Sequence, residues 1–210
     1  MGHERQREER RRPAASGRGD GQRIQRDRLR IARTAARLIA EHGLADWALA
    51  KRKAARQLML PESCAMPSNE DIEQALLDHH ALFGGDTHAE TLRAQRAEAL
   101  RWLHRLEAFE PVLVGGVAAG WATEHSDIRI ELVADDPKGV EMLLAGAGVS
   151  YVALPPRDVT ALAPGGTELL IDTRAGGVRL SVLTPQQRRN RPRSDDEPRL
   201  DASALAGLIG

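Results

Sequence analysis

The sequence predicts an α+β protein, a helical half followed by a small mixed-sheet half, and three observations carry that expectation. Apolar residues recur at helical spacing from Ile24 to Leu106. After Pro111 the pattern changes to short runs that alternate with period two, as in "DIRIELV". The punctuation fits both halves, with capping residues before the helical runs and Gly or Pro after them.

The elements follow in order. Residues 1–22 are rich in arginine, interrupted by Pro13 and several glycines, and hold few apolar side chains. Such a segment cannot offset its own ordering entropy, so it is expected to be a disordered basic arm. A first helix starts near Ile24, with Ile31, Ala35, Leu38 and His42 on one stripe and Ala32, Ala36 and Ile39 beside it. Gly43 would end it and Asp46 would cap a second helix, which Pro61 stops. Ser68 and Asp71 form a capping-box pattern for a third helix, closed by Gly84-Gly85. A fourth runs from about His88 to Ala108, so the helical bundle spans 23–108.

Residues 109–184 read as the sheet domain. "VLV" and "DIRIELV" are strands, Asp136-Pro137 opens a helix, and "VSYVAL" is a further strand. "TELLIDT" and "VRLSVL", joined by "RAGG", form a hairpin. The tail, 185–210, is expected to be polar and irregular, with a short terminal helix in "DASALAGLIG".

Composition excludes several function classes. The 210 residues carry 30 Lys+Arg and 30 Asp+Glu, so no global charge draws the chain to nucleic acid or membrane. The balance is uneven, with arginine runs such as Arg7 to Arg12 near the start. No apolar run approaches the ~20 residues of a bilayer span. No apolar segment follows the basic start, so no secretory signal is expected. The single cysteine, Cys64, forms no internal disulfide, which points to a reducing, cytoplasmic setting. No Gly-x₄-Gly-Lys-Ser/Thr loop is present, so P-loop chemistry is not expected. The histidines His79, His80, His88 and His104 lack metal-ligand spacing and read as exposed.

The most informative stretch is Gly115-Gly116-Val117-Ala118-Ala119-Gly120-Trp121-Ala122-Thr123-Glu124-His125-Ser126-Asp127-Ile128. It resembles the signature of the nucleotidyltransferase (polymerase-β-like) superfamily at Gly115, Ala118, Gly120, Ala122, Thr123, Ser126, Asp127 and Ile128, with Gly116 where serine is commoner. The resemblance implies a glycine turn that brings backbone N–H groups to a nucleotide's phosphates. It also implies a strand whose acids at i and i+2 share Mg²⁺ for an in-line phosphoryl displacement. Asp127 matches the first acid, but Arg129 stands at i+2.

Glu131 is the next acid on that strand face, about 7 Å further along. Arg179 stands where a third acid would be, with Asp172 the nearest alternative. Three readings follow. Gly115, Gly116, Ser126, Arg129 and Arg179 bind a nucleotide or phosphate without catalysis. Alternatively, Asp127 and Glu131 are catalytic and, with Asp172, hold a displaced Mg²⁺ site. Or the glycine pair is an ordinary loop. The rival function class is a DNA-binding regulator. "RLRIARTAARLIAEHGL" resembles the first helix of TetR-type repressors, and the Arg-rich arm would meet phosphates. The Arg37-x₄-His42 spacing also fits the loose pattern of HEPN-type ribonucleases, which helices often show by chance.

Overall fold

The computed structural model describes residues 16–44, 46–61, 63–154, 166–190 and 198–209. The first fifteen residues of the expected arm, and 191–197 of the tail, lie outside that set. The architecture is α+β: helices first, then a five-stranded mixed sheet. No helix among the described residues is long and apolar enough to cross a membrane.

The N-terminal helices are α1 (Ser16–His42), α2 (Trp47–Gln57) and α3 (Asn69–His79). Helix α1 begins within the segment expected to be arm, eight residues before Ile24. The Asp46 carboxylate accepts from the Leu49 N–H and caps α2. At α3 the capping box is complete. Ser68 Oγ accepts from the Asp71 N–H, and the Asp71 carboxylate accepts from the Ser68 N–H. Ile31, Ala35, Ala36, Ala50, Ala54, Ile72 and Leu76 form the core of this unit. Most are alanines, so the three helices approach closely. Cys64 is half-buried and packs against this core.

A π-helical turn, His80–Gly84, links α3 to α4 (Gly85–Arg105). The glycine pair expected to end the third helix does end this helical run, one π turn after His79: Gly85 takes φ 51°, and α4 starts at once. Ala99, Trp102, Leu103 and Leu106 of the α4 segment pack into the core beneath the sheet. By packing, α4 belongs with the sheet, although its periodicity groups it with the preceding helices.

The remaining elements are β1 (Val112–Val114), α5 (Gly116–Ala119), β2 (Ile128–Val133), α6 (Lys138–Gly146), β3 (Val152–Leu154), β4 (Thr167–Thr173), β5 (Gly176–Leu183), α7 (Pro185–Asn190) and α8 (Ala202–Ile209). The sheet order is β1-β2-β5-β4-β3. Strands β2 and β5 are parallel, and the other neighbours are antiparallel.

Alternation gives the sheet two unlike faces. Ile128, Ile130, Leu132, Val178, Leu180, Val182, Leu169 and Ile171 point into the core with α4, α6 and α8. Asp127, Arg129, Glu131, Arg179, Ser181 and Glu168 share the opposite face by register.

The tail departs from expectation in its first part. Residues 185–190 form α7, where an irregular segment was expected. Thr184 Oγ1 accepts from the Gln187 N–H, and Gln187 Oε1 accepts from the Thr184 N–H. That is a capping box with Pro185 at the first helical position, where its missing N–H costs nothing. Further on, Leu200 exchanges two backbone hydrogen bonds with Leu113 of β1, and Leu205 of α8 is buried in the sheet core.

Candidate functional site: an arginine-bearing cleft

The segment after β1 makes a tight reversal. Gly115 adopts φ 71°, a left-handed conformation that favours glycine. A Cβ at Gly116 would lie 2.7 Å from the Trp121 ring, so only glycine lets the turn close against that indole. Helix α5 occupies a single turn, and the N–H groups of Gly120, Trp121 and Ala122 all point to the Gly116 carbonyl.

Helix α4 holds this loop from outside. Arg96 donates to the Val117 carbonyl at 3.2 Å and to that of Ala118 at 3.5 Å. The buried Gln95 amide donates to the Thr123 carbonyl at 2.9 Å. His88 Nε2 lies 3.3 Å from the Gly120 carbonyl oxygen. His80 stacks on His88 with ring centroids 3.7 Å apart and planes nearly parallel. Burial, then the neighbouring His88 and His79, push the His80 imidazole down to about 4. His80 and His88 were expected to be exposed. The π-helical turn carries His80 over α4, a change of phase that spacing does not reveal.

Above the charged sheet face, between the sheet and the N-terminal helices, lies a cavity of about 750 Å³. That is within the usual size of a small-ligand site. Gly115, Gly116, Ser126, Asp127, Arg129 and Arg179 line it, so six of the sequence-derived site residues meet in one place. Ser126 already accepts from the Thr123 N–H and so serves the turn.

The charges divide sharply. Arg179 Nε and Nη2 both donate to Asp127 Oδ2, at 2.9 and 2.6 Å, and Nη1 donates to Glu168 Oε2 at 3.1 Å. Burial works against its charge, but Asp127 and then Glu168 outweigh that and raise the Arg179 pKa. Arg129 sits beside Arg179 in the β2–β5 register, half-buried. Among the described residues no carboxylate lies within ion-pair distance of it.

The expected acids do not assemble. Glu131 is 5 % exposed and accepts from Arg199 Nη2 at 2.7 Å, outside the cavity lining. Asp172 is exposed opposite Gly177, near the C-terminal end of β4, and does not line the cavity either. Among the described residues, no three of His, Cys, Asp and Glu are placed to hold a metal ion. Asp127, whose Oδ2 is already bridged by Arg179, does not fit a shared-Mg²⁺ site with Glu131 and Asp172. Among the described residues, the three acids expected to share a metal do not meet at one point.

Several contributors to this cleft escaped sequence reasoning, the carboxylate of Glu73 among them. Glu168 gave no signal, because its role depends on its diagonal position across the hairpin. Trp47 and Trp121 come from separate halves of the chain and meet with ring centroids 5.0 Å apart at 56°. Both line the cavity, as does Asp46. Trp121 could have been noticed as a large aromatic within a run of small residues.

No protein-family model, curated protein or solved structure matches this chain.

Proposed function

We propose that the cleft binds a phosphate-bearing ligand of nucleotide size, as in a nucleotidyltransferase-like protein that has given up metal-dependent transfer for binding. The observation that carries this reading is Arg129. It is a half-buried guanidinium in a cavity wall with no carboxylate partner among the described residues. A guanidinium with no carboxylate partner keeps its N–H donors available for charge-assisted hydrogen bonds to a bound phosphate.

Arg179 contributes less directly. Its charge is spent on Asp127 and Glu168, and it fixes the wall beside Arg129. The Trp47–Trp121 pair supports a ligand with a ring as well as a phosphate, since indole faces suit flat, polarisable groups. The open glycine turn places backbone beside Arg129, where an extra side chain would crowd it: a Cβ at Gly115 would lie 3.3 Å from Arg129 Cδ.

Titration calorimetry with ATP, GTP and CTP, each with and without Mg²⁺, tests the proposal. Binding should be independent of Mg²⁺ and weaken roughly 10- to 150-fold in Arg129→Ala, the range of one charge-assisted hydrogen bond. Binding that requires Mg²⁺ and disappears in Asp127→Ala would instead restore the metal-dependent enzyme. No binding of any of the three would remove the nucleotide reading.

A further inference from the structure

Helix α1 carries arginines at 23, 26, 30, 33 and 37, a spacing of three, four, three and four residues. At ~3.6 residues per turn these form one continuous stripe. The buried face of the same helix is Ile31, Ala32, Ala35, Ala36, Leu38 and Ile39. On the helical wheel the stripe lies about 180° from that face, so it points straight away from the core. All five arginines are exposed. Only Arg30 reaches a carboxylate, that of Asp27 at 3.4 Å; among the described residues Arg23, Arg26, Arg33 and Arg37 have none. Arg28, off the stripe, is the one turned inward, to Asp71 at 2.8 Å.

We infer that this stripe is a binding surface for the phosphate backbone of double-stranded nucleic acid. The stripe is about 21 Å long, from a rise of ~1.5 Å per residue. A duplex strand presents a phosphate every ~3.4 Å of axis, so that length meets several phosphates of one groove edge. The contacts inferred are to phosphates, which position a protein on a duplex and carry no sequence information of their own.

An anionic membrane is the rival partner for a basic helix. It needs the apolar face of the helix free to enter the lipid, and here that face is committed to the core from Ile31 onward. The surface is also unlike a helix-turn-helix. Helix α3, which follows α2, carries Glu70, Asp71, Glu73 and Asp78 and would repel phosphates.

The test is fluorescence anisotropy of the full chain with a labelled 24-base-pair duplex across 50–200 mM salt. Four to five phosphate contacts give a log–log slope of about −4, a loss of roughly 150- to 500-fold over that range. Arg26→Gln/Arg33→Gln should weaken binding at low salt and reduce the slope by about two, with the melting curve unchanged. The control Arg93→Gln/Arg101→Gln removes the same charge from exposed positions on α4 and should leave binding as it was. Three results would overturn the inference: no duplex binding, a slope that the stripe variant leaves unaltered, or equal losses in both variants. Tighter binding to phosphatidylserine vesicles than to duplex, lost in the stripe variant, would also overturn it and assign the surface to lipid.

Discussion

Arg129 and Arg179 are register partners across the parallel strands β2 and β5, yet among the described residues only Arg179 meets carboxylates. The difference comes from what surrounds each. Arg179 lies between Asp127 on one side and Glu168 on the other, while Arg129 faces the glycine turn. Two adjacent guanidiniums thus serve different ends: one builds the wall, and the other is left for a ligand.

Arg179→Met should be strongly destabilising. It strands the Glu168 carboxylate, which is 2 % exposed, and frees Asp127. Breaking a buried pair in this way costs about 3–5 kcal/mol. Arg129→Met, which breaks no ion pair, should cost about 1 kcal/mol or less. Urea unfolding followed by far-UV circular dichroism distinguishes the two, and equal losses would contradict the division of roles.

Gly116→Ala should displace Trp121. The added methyl meets the indole at 2.7 Å, and the backbone on either side is tied down by α4. The expected cost is about 1–3 kcal/mol, from overpacking. Tryptophan fluorescence should shift as the Trp47–Trp121 contact opens, and an unchanged spectrum with unchanged stability would refute the close fit.

His80 gives stability a pH dependence. Its folded pKa, about 4, lies below its unfolded value of ~6.5, so the unfolded chain binds the proton more readily. The contribution is fully present above ~6.5 and is lost as the pH falls toward 4. Urea midpoints at pH 7.5 and 5 should therefore differ more in the wild type than in His80→Gln. A similar drop in both would remove His80 as the source.

Asp71 acts in the acid range with the same sign. Hydrogen bonding from the Ser68 N–H, then the Arg28 guanidinium, hold its carboxyl below the usual value, although burial opposes them. Its contribution is present above ~3.9 and is lost as the pH falls through the lower folded value. Ser68→Ala should cost about 1 kcal/mol at neutral pH, because the N-cap acceptor of α3 is removed. Chemical unfolding at pH 7 and pH 3 checks both statements.

Local chemistry was the legible part of this molecule. Asp46 and the Ser68–Asp71 pair announce their helices because a cap acts over three residues. The β4–β5 hairpin is equally local, with Thr173 and Gly176 paired across a two-residue turn. Thr184 and Gln187 carried the same kind of signal, hidden in a tail whose polarity suggested irregular chain. The π-helical turn at His80 was not legible, since residue periodicity does not distinguish it from the end of an ordinary helix.

By itself the sequence determined the α+β order of elements, the glycine turn, and the face of β2 that carries Asp127, Arg129 and Glu131. Each follows from contacts or alternation over a few residues. Only the tertiary structure decided what those charges do. The parallel pairing of β2 with β5 joins positions some fifty residues apart and sets Arg179 on Asp127. The tail brings Arg199 to Glu131, and the N-terminal helices bring Trp47 to Trp121. An ion pair forms with whichever opposite charge the fold brings within a few ångströms, and strand spacing alone does not name that partner.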